Sequence, residues 1–160
     1  ILEKSIYLIK ENQHSDLTTS IKHNAPYSKS SQNIFGVVEE SSNGVFQGKI
    51  LVRKDAQKTD GHQLNKVLLL SEGSEIDAKP ELEIYADDVK CSHGATAGEL
   101  DEEQLFYLRA RGIKEAEARD LLVAAFLEDS LELIEDETPR DAFRNVISNW
   151  LAMRRRQEEG

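Results

Sequence analysis

The stretch from Gly44 to His93, GVFQGKILVRKDAQKTDGHQLNKVLLLSEGSEIDAKPELEIYADDVKCSH, decides how this chain is read. It holds short β-type runs, GVFQGKILV, KVLLL, LEIYA and VKCSH, separated by the polar turns TDG, SEGS and KP. In such turns Gly supplies a positive φ and Pro ends a ladder. Toward the N-terminus the same pattern continues through SSNG into NIFGVV and SIYLI. No helical period persists between Ser5 and about Leu100. Short, evenly spaced strands suggest a sandwich or a stacked solenoid. Many runs lack clean in-out alternation over a hairpin length, and tight hairpin signals occur only around Asn43-Gly44 and Asp60-Gly61. A parallel coil tolerates both features, because each rung needs only a few inward side chains. The solenoid is placed ahead of the sandwich, and both stay open at this point.

Beyond Leu100 the pattern turns helical. Asp101 followed by Gln104 resembles a capping box, and the run DEEQLFYLRARG ends at Gly112, a natural C′ residue. A second helix from about Lys114 is expected to place Ala118, Leu121, Leu122, Ala125 and Phe126 on one stripe and to fray or bend near EDSLELIEDE. A third start is signalled by Thr138 as N-cap, Pro139 and Asp141. Phe143, Val146, Ile147, Trp150 and Leu151 then form one apolar face, expected to fold back on the second helix or to receive a partner. The expected division is residues 1–100 as strands and 101–160 as helices.

Composition bounds the function. The 160 residues are 39% hydrophobic and 31% charged, with no apolar run long enough to span a membrane. A net charge of -10 argues against a general grip on nucleic acid phosphates. The one basic cluster, Arg154 to Arg156, is read as a complement to the negative end of a helix dipole. A single cysteine forms no intrachain disulfide, which fits a reducing, cytoplasmic setting. The chain begins at Ile1 without a leader pattern and reads as a piece of a longer protein.

In an extended DVKCSH, Val89, Cys91 and His93 share one face. A thiol and an imidazole side by side suit a soft S/N metal site, but two ligands do not complete a sphere; the rest must come from another rung, from His62, or from another chain. The alternative is a small buried cysteine, the commoner fate of a free thiol. Nucleophilic catalysis by Cys91 lacks a local base and orienter. Asp87 and Asp88, as neighbours on a strand, point to opposite faces and read as turn residues rather than as the paired carboxylates of a β-helical glycan-cleaving enzyme. His14 and His23 are expected at the surface, and Ser28 to Ser31 in a loop. No phosphate-binding Gly-rich loop is present.

The segments GVFQGKILV, DAQKTDGHQLNKVLLLSEGSEIDAKPELEIYADDVKCSHGAT and LFYLRARGI resemble the SufB/SufD family of iron-sulfur cluster assembly proteins, in order from about Phe35 to about Phe126. The resemblance implies a mainly β fold, a right-handed parallel β-helix followed by a C-terminal helical region. It implies a non-catalytic scaffold working with SufB and the ABC-type ATPase SufC. The family's Cys-x-His falls on Cys91 and His93, which the resemblance implies help bind iron or a nascent iron-sulfur cluster together with SufB; none is expected in the isolated chain. The helices are implied to dock SufC, with Phe106, Tyr107, Leu108, Arg109 and Arg111 as the side chains concerned. A homodimer is expected for the isolated chain, in place of the SufB contact, because a β-helix cut mid-solenoid exposes a strand edge. The rival readings are a carbohydrate-active β-helix enzyme, marked by carboxylates stacked on neighbouring rungs, and a simple metal-binding protein.

Overall fold

The computed structural model describes residues 1–132 and 134–158, with side chains described as far as 155. The chain divides into two compact units, Ile1–Gly98 and Glu99–Gly160.

The first unit is a parallel β-solenoid of about three turns. Its strands are β1 (Leu2–Ile9), β2 (His14–His23), β3 (Lys29–Val38), β4 (Asn43–Val52), β5 (Asp60–Leu69), β6 (Glu75–Ile84) and β7 (Lys90–Gly98). Odd strands form one sheet in the order β1-β3-β5-β7, and even strands form the other, β2-β4-β6. All five pairings are parallel. Each coil therefore places one strand in each sheet, and the space between the sheets is the core. This resolves the choice between sandwich and solenoid.

Buried positions alternate with more exposed ones along β4, whereas residues 34–38 of β3 are all buried. In β4 the buried set is Gly44, Phe46, Gly48, Ile50 and Val52, with exposed or half-buried residues between them. One apolar cluster gathers Ile21, Ile50, Val52, Ala56 and Ala86, and a second gathers Ile9, Val38 and Val67. One large inward side chain is matched to a glycine. Tyr7 stands in register with Gly36, where an added Cβ would meet its ring at 2.2 Å. Burial pushes the Tyr7 phenol up to about 12.

Four expectations about the solenoid need correction. HSDLTTSIKH was not read as a strand, because its outward residues are polar and only Leu17 and Ile21 are aliphatic; it forms all of β2. His23, expected at the surface, is buried, and its Nε2 lies 2.8 Å from Ser30 Oγ. Ser30 itself is in β3, outside any loop. The Lys79-Pro80 pair, read as a turn, lies inside β6. Proline is tolerated there because β6 is the outermost strand of its sheet, where a missing N–H leaves a ladder least disturbed.

The second unit contains α1 (Glu102–Ala110), α2 (Glu115–Glu132) and α3 (Glu137–Glu158). Asp101 caps α1, its Oδ1 accepting from the backbone N–H groups of Glu103 and Gln104 at 2.8 and 3.0 Å. Gly112 follows with φ +86°, the left-handed conformation that favours glycine. The cap of α3 is Asp136 rather than Thr138, since Asp136 Oδ1 accepts from Thr138 N at 3.0 Å. The break between α2 and α3 falls within the expected EDSLELIEDE, of which Leu133 lies outside the described residues.

The stripe that α2 buries is Ala118, Asp120, Val123, Leu127, Ser130 and Leu131, rotated from the expected one; Leu121 is exposed. The buried stripe carries a charge. Asp120 pairs with Arg154 of α3, and their side chains are only 2% and 4% exposed. Arg155 Nε stands 2.6 Å from the other Asp120 oxygen, outside hydrogen-bond geometry. Arg154 thus serves a buried pair instead of the helix dipole, and the Arg156 side chain lies outside the described residues. The apolar face of α3 does fold back, with Ile147 and Leu151 buried, while Val146 stays exposed.

Removing one partner of a buried pair strands the other charge. Asp120→Ala is therefore expected to destabilise the helical unit by about 3–5 kcal/mol in urea denaturation followed by helical circular dichroism. The double change Asp120→Leu with Arg154→Met recovers most of that loss. A loss under about 1 kcal/mol for Asp120→Ala would show that the pair does not hold α2 to α3.

Candidate functional site

The solenoid ends in β7, which pairs only with β5 and leaves its other edge free among the described strands. Cys91 stands over Gly61 and His93 over Gln63, and both Gly61 and Gln63 are inward positions of β5. Cys91 and His93 thus share the inward face of the last strand, as alternation predicted. Their surroundings differ. Cys91 is half-buried and packs against the cluster of Ile21, Ile50, Val52, Ala56 and Ala86. His93 is exposed.

Burial pushes the Cys91 thiol up, Asp60 adds to the rise, and the Gly61 backbone N–H opposes it. The group is held as a thiol more firmly than a free cysteine. The missing side chain of Gly61 opens a small space around it. Cys91 Sγ and His23 Nε2 both lie 3.5 Å from the point where a Gly61 Cβ would stand, and Ser30 Oγ lies at 3.4 Å. His23 is therefore a neighbour of Cys91 that sequence reasoning missed. Burial lowers its pKa, which favours the neutral ring. The only signal in the sequence was the placement of a histidine on a strand not recognised as one.

His62, considered as a third ligand, is on the opposite face. Its Nδ1 lies 2.7 Å from Ser92 Oγ and its Nε2 2.8 Å from Asp60 Oδ1. This outward chain ties β7 to β5 at the residue between Cys91 and His93. Among the described residues no three His, Cys, Asp or Glu side chains converge on one point. The donors fit a soft ion in kind but supply only part of a coordination sphere.

Asp87 and Asp88 form no carboxylate pair: Asp88 is exposed and bridges to Lys58. Across the described strand pairs no carboxylate stands in register with another. The feature that would mark a β-helical glycan-cleaving enzyme is not found there.

In the helical unit, Phe106 and Tyr107 are 72% and 55% exposed, large apolar surfaces that water does not favour. Arg111 stacks on the Tyr107 ring, 3.5 Å from its centroid, and Arg109 pairs with Glu115 at 3.4 Å. Leu108 and Tyr107 line a groove of about 420 Å³ with Glu103, Gln104 and Leu122.

The family model described as the SufBD core domain of SUF system FeS cluster assembly covers residues 3–126. The chain belongs to this SufB/SufD family. Iron-sulfur cluster assembly protein SufD of Escherichia coli is 44% identical over 133 residues, covering 83% of this chain and 31% of that protein. An iron-sulfur cluster assembly SufBD family protein of Synechocystis is 40% identical over 144 residues, covering 90% of this chain and 32% of its own length. SufD of Bacillus subtilis is 36% identical over 127 residues, 78% of this chain and 28% of that protein. The chain thus spans about a third of the length of the curated relatives it matches.

Because its thiol form is favoured, Cys91 is expected to react with iodoacetamide at mildly alkaline pH several-fold more slowly in the folded chain than in urea. The rate should keep rising with pH beyond the range of an ordinary cysteine. A folded-state rate equal to or above the unfolded one would contradict a raised thiol pKa.

Proposed function

We propose that this chain is a non-catalytic scaffold and adaptor in SUF iron-sulfur cluster assembly, pairing with SufB through the solenoid and docking the SufC ATPase through the helices. The observation that carries this reading is the placement of Cys91 and His93 together on the inward face of a terminal strand with a free edge. Two donors at such an edge are an incomplete site, and a partner strand bringing its own ligands completes it. Iron or a nascent cluster is then cargo held between two proteins, released when they separate. A ligand set shared in this way explains why one chain needs no converging third ligand. Free thiol chemistry requires a reducing compartment, and one relative is described as chloroplastic.

Phe106, Tyr107, Leu108, Arg109 and Arg111 are assigned to SufC docking. Exposed Phe106 and Tyr107 next to the α1–α2 groove support this, since a partner that covers them gains apolar burial. When SufB is absent, the open strand edge pairs with a second copy to give a homodimer.

Size-exclusion chromatography with light scattering tests these statements together. The chain alone is expected to show a dimer mass, and with SufC a defined complex. Phe106→Ala with Tyr107→Ala weakens that complex at least tenfold, whereas Cys91→Ala leaves it intact. A concentration-independent monomer would refute the homodimer, and a SufC complex insensitive to the α1 double substitution would remove the docking assignment.

A further inference from the structure

One column of inward positions in the solenoid is polar from end to end. Glu3, Gln32, Gln63 and His93 occupy the same register on β1, β3, β5 and β7. Gln32 and Gln63 are buried. Gln32 Nε2 donates to Glu3 Oε2 at 2.6 Å, and Gln63 Nε2 donates to Gln32 Oε1 at 2.6 Å. Thr19 Oγ1 adds a second donor to Gln32 Oε1 at 3.3 Å. Room for Gln63 comes from Gly48 of the opposite sheet, where a Cβ would meet Gln63 Nε2 at 2.2 Å.

The column has a direction, and its origin is chemical. A carboxylate only accepts, so Gln32 must turn its NH₂ toward Glu3. Its oxygen then faces Gln63, which must turn its own NH₂ toward Gln32. What remains of Gln63 is its Oε1, a buried acceptor with no partner among the described residues. The residue above it in the stack is His93. Buried polar atoms without a partner are rare, and a ring N–H is the donor that the residue one register position above can bring to this acceptor.

We propose that Gln63 is the positioning residue for His93: in this structure the two make no hydrogen bond, and a turn of the exposed His93 side chain onto the unpartnered Oε1 seats the N–H of one ring nitrogen there and leaves the other nitrogen as a lone-pair donor to metal. Glu3, about 14 Å away across three strand spacings, sets the direction of both amides and so the tautomer of the ring. The proposal rests on His93 being a metal ligand and adds what selects the ligating nitrogen. A neutral imidazole offers two tautomers, of which a given site uses one.

The tautomer ratio is read without metal, from imidazole ¹⁵N shifts of the ¹⁵N-histidine-labelled 160-residue chain in alkaline buffer, with His93 assigned against His93→Ala. In the unaltered chain one tautomer should dominate. Gln63→Leu is expected to shift the ratio about fivefold, as loss of one ordinary hydrogen bond would. Glu3→Gln, at the far end and half-buried, removes the fixed direction and should move the ratio the same way, an effect that a purely steric role of Gln63 would not produce. An unchanged ratio in Gln63→Leu overturns the proposal. So does a shift produced by Asn65→Leu but not by Gln63→Leu, since the unpartnered Asn65 amide would then be the group concerned. A ratio that follows Gln63 but not Glu3 overturns the directional column. Iron retention by His93→Ala in complex with SufB tests the ligand reading separately: if iron is kept, that reading fails whatever the tautomer does.

Discussion

Parallel, in-register stacking makes each inward side chain the floor beneath its counterpart on the next coil, about 4.8 Å away. That spacing is the constraint on which the rest of this protein depends. At some positions it demands that a bulky residue meet a small one, at others that a polar residue meet another polar residue, and at the last that the final coil end in groups no further coil will cover. Tyr7 over Gly36 meets the first demand and the Glu3–Gln32–Gln63 column the second. Cys91 and His93, at the top of two such columns, meet the third.

The two members of the pair inherit different environments from the residues beneath them. Under Cys91 the column is small, Ser30 then Gly61, so the thiol sinks toward the apolar cluster and is held neutral. Under His93 the column is long and polar, so the imidazole stays at the rim. On the other face, the Asp60–His62–Ser92 chain fastens the strand between them. A recessed thiol and an accessible imidazole are thereby presented from a single short segment.

Much of this was legible in the sequence, for a physical reason. Runs such as GVFQGKILV carry their own alternation, and the Cys-x-His spacing fixes a shared face once the segment is extended. The segments that resemble the SufB/SufD family fall within the region the family model covers. What stayed hidden depends on partners distant in sequence. HSDLTTSIKH has little apolar signal of its own and becomes a strand because β4 lies in register beside it. Asp120 looks like a surface residue until Arg154, on another helix, reaches it. Pro80 reads as a breaker unless one knows that its strand is outermost. His23 belongs to the same class, since only the fold brings it to Gly61 and Cys91.

The glycine beneath Tyr7 also bears on how freely such a solenoid can change its length. The register runs Tyr7, Gly36, Val67 up one column. Excising the middle coil would preserve backbone pairing, yet it would set the tyrosine ring on a valine instead of a glycine. The polar column would survive the same excision, because Glu3 would then meet Gln63. Coils that look like repeats of one another are therefore not interchangeable parts. Each is cut to fit a particular neighbour, so that a change of side chain in one coil has to be answered in the next.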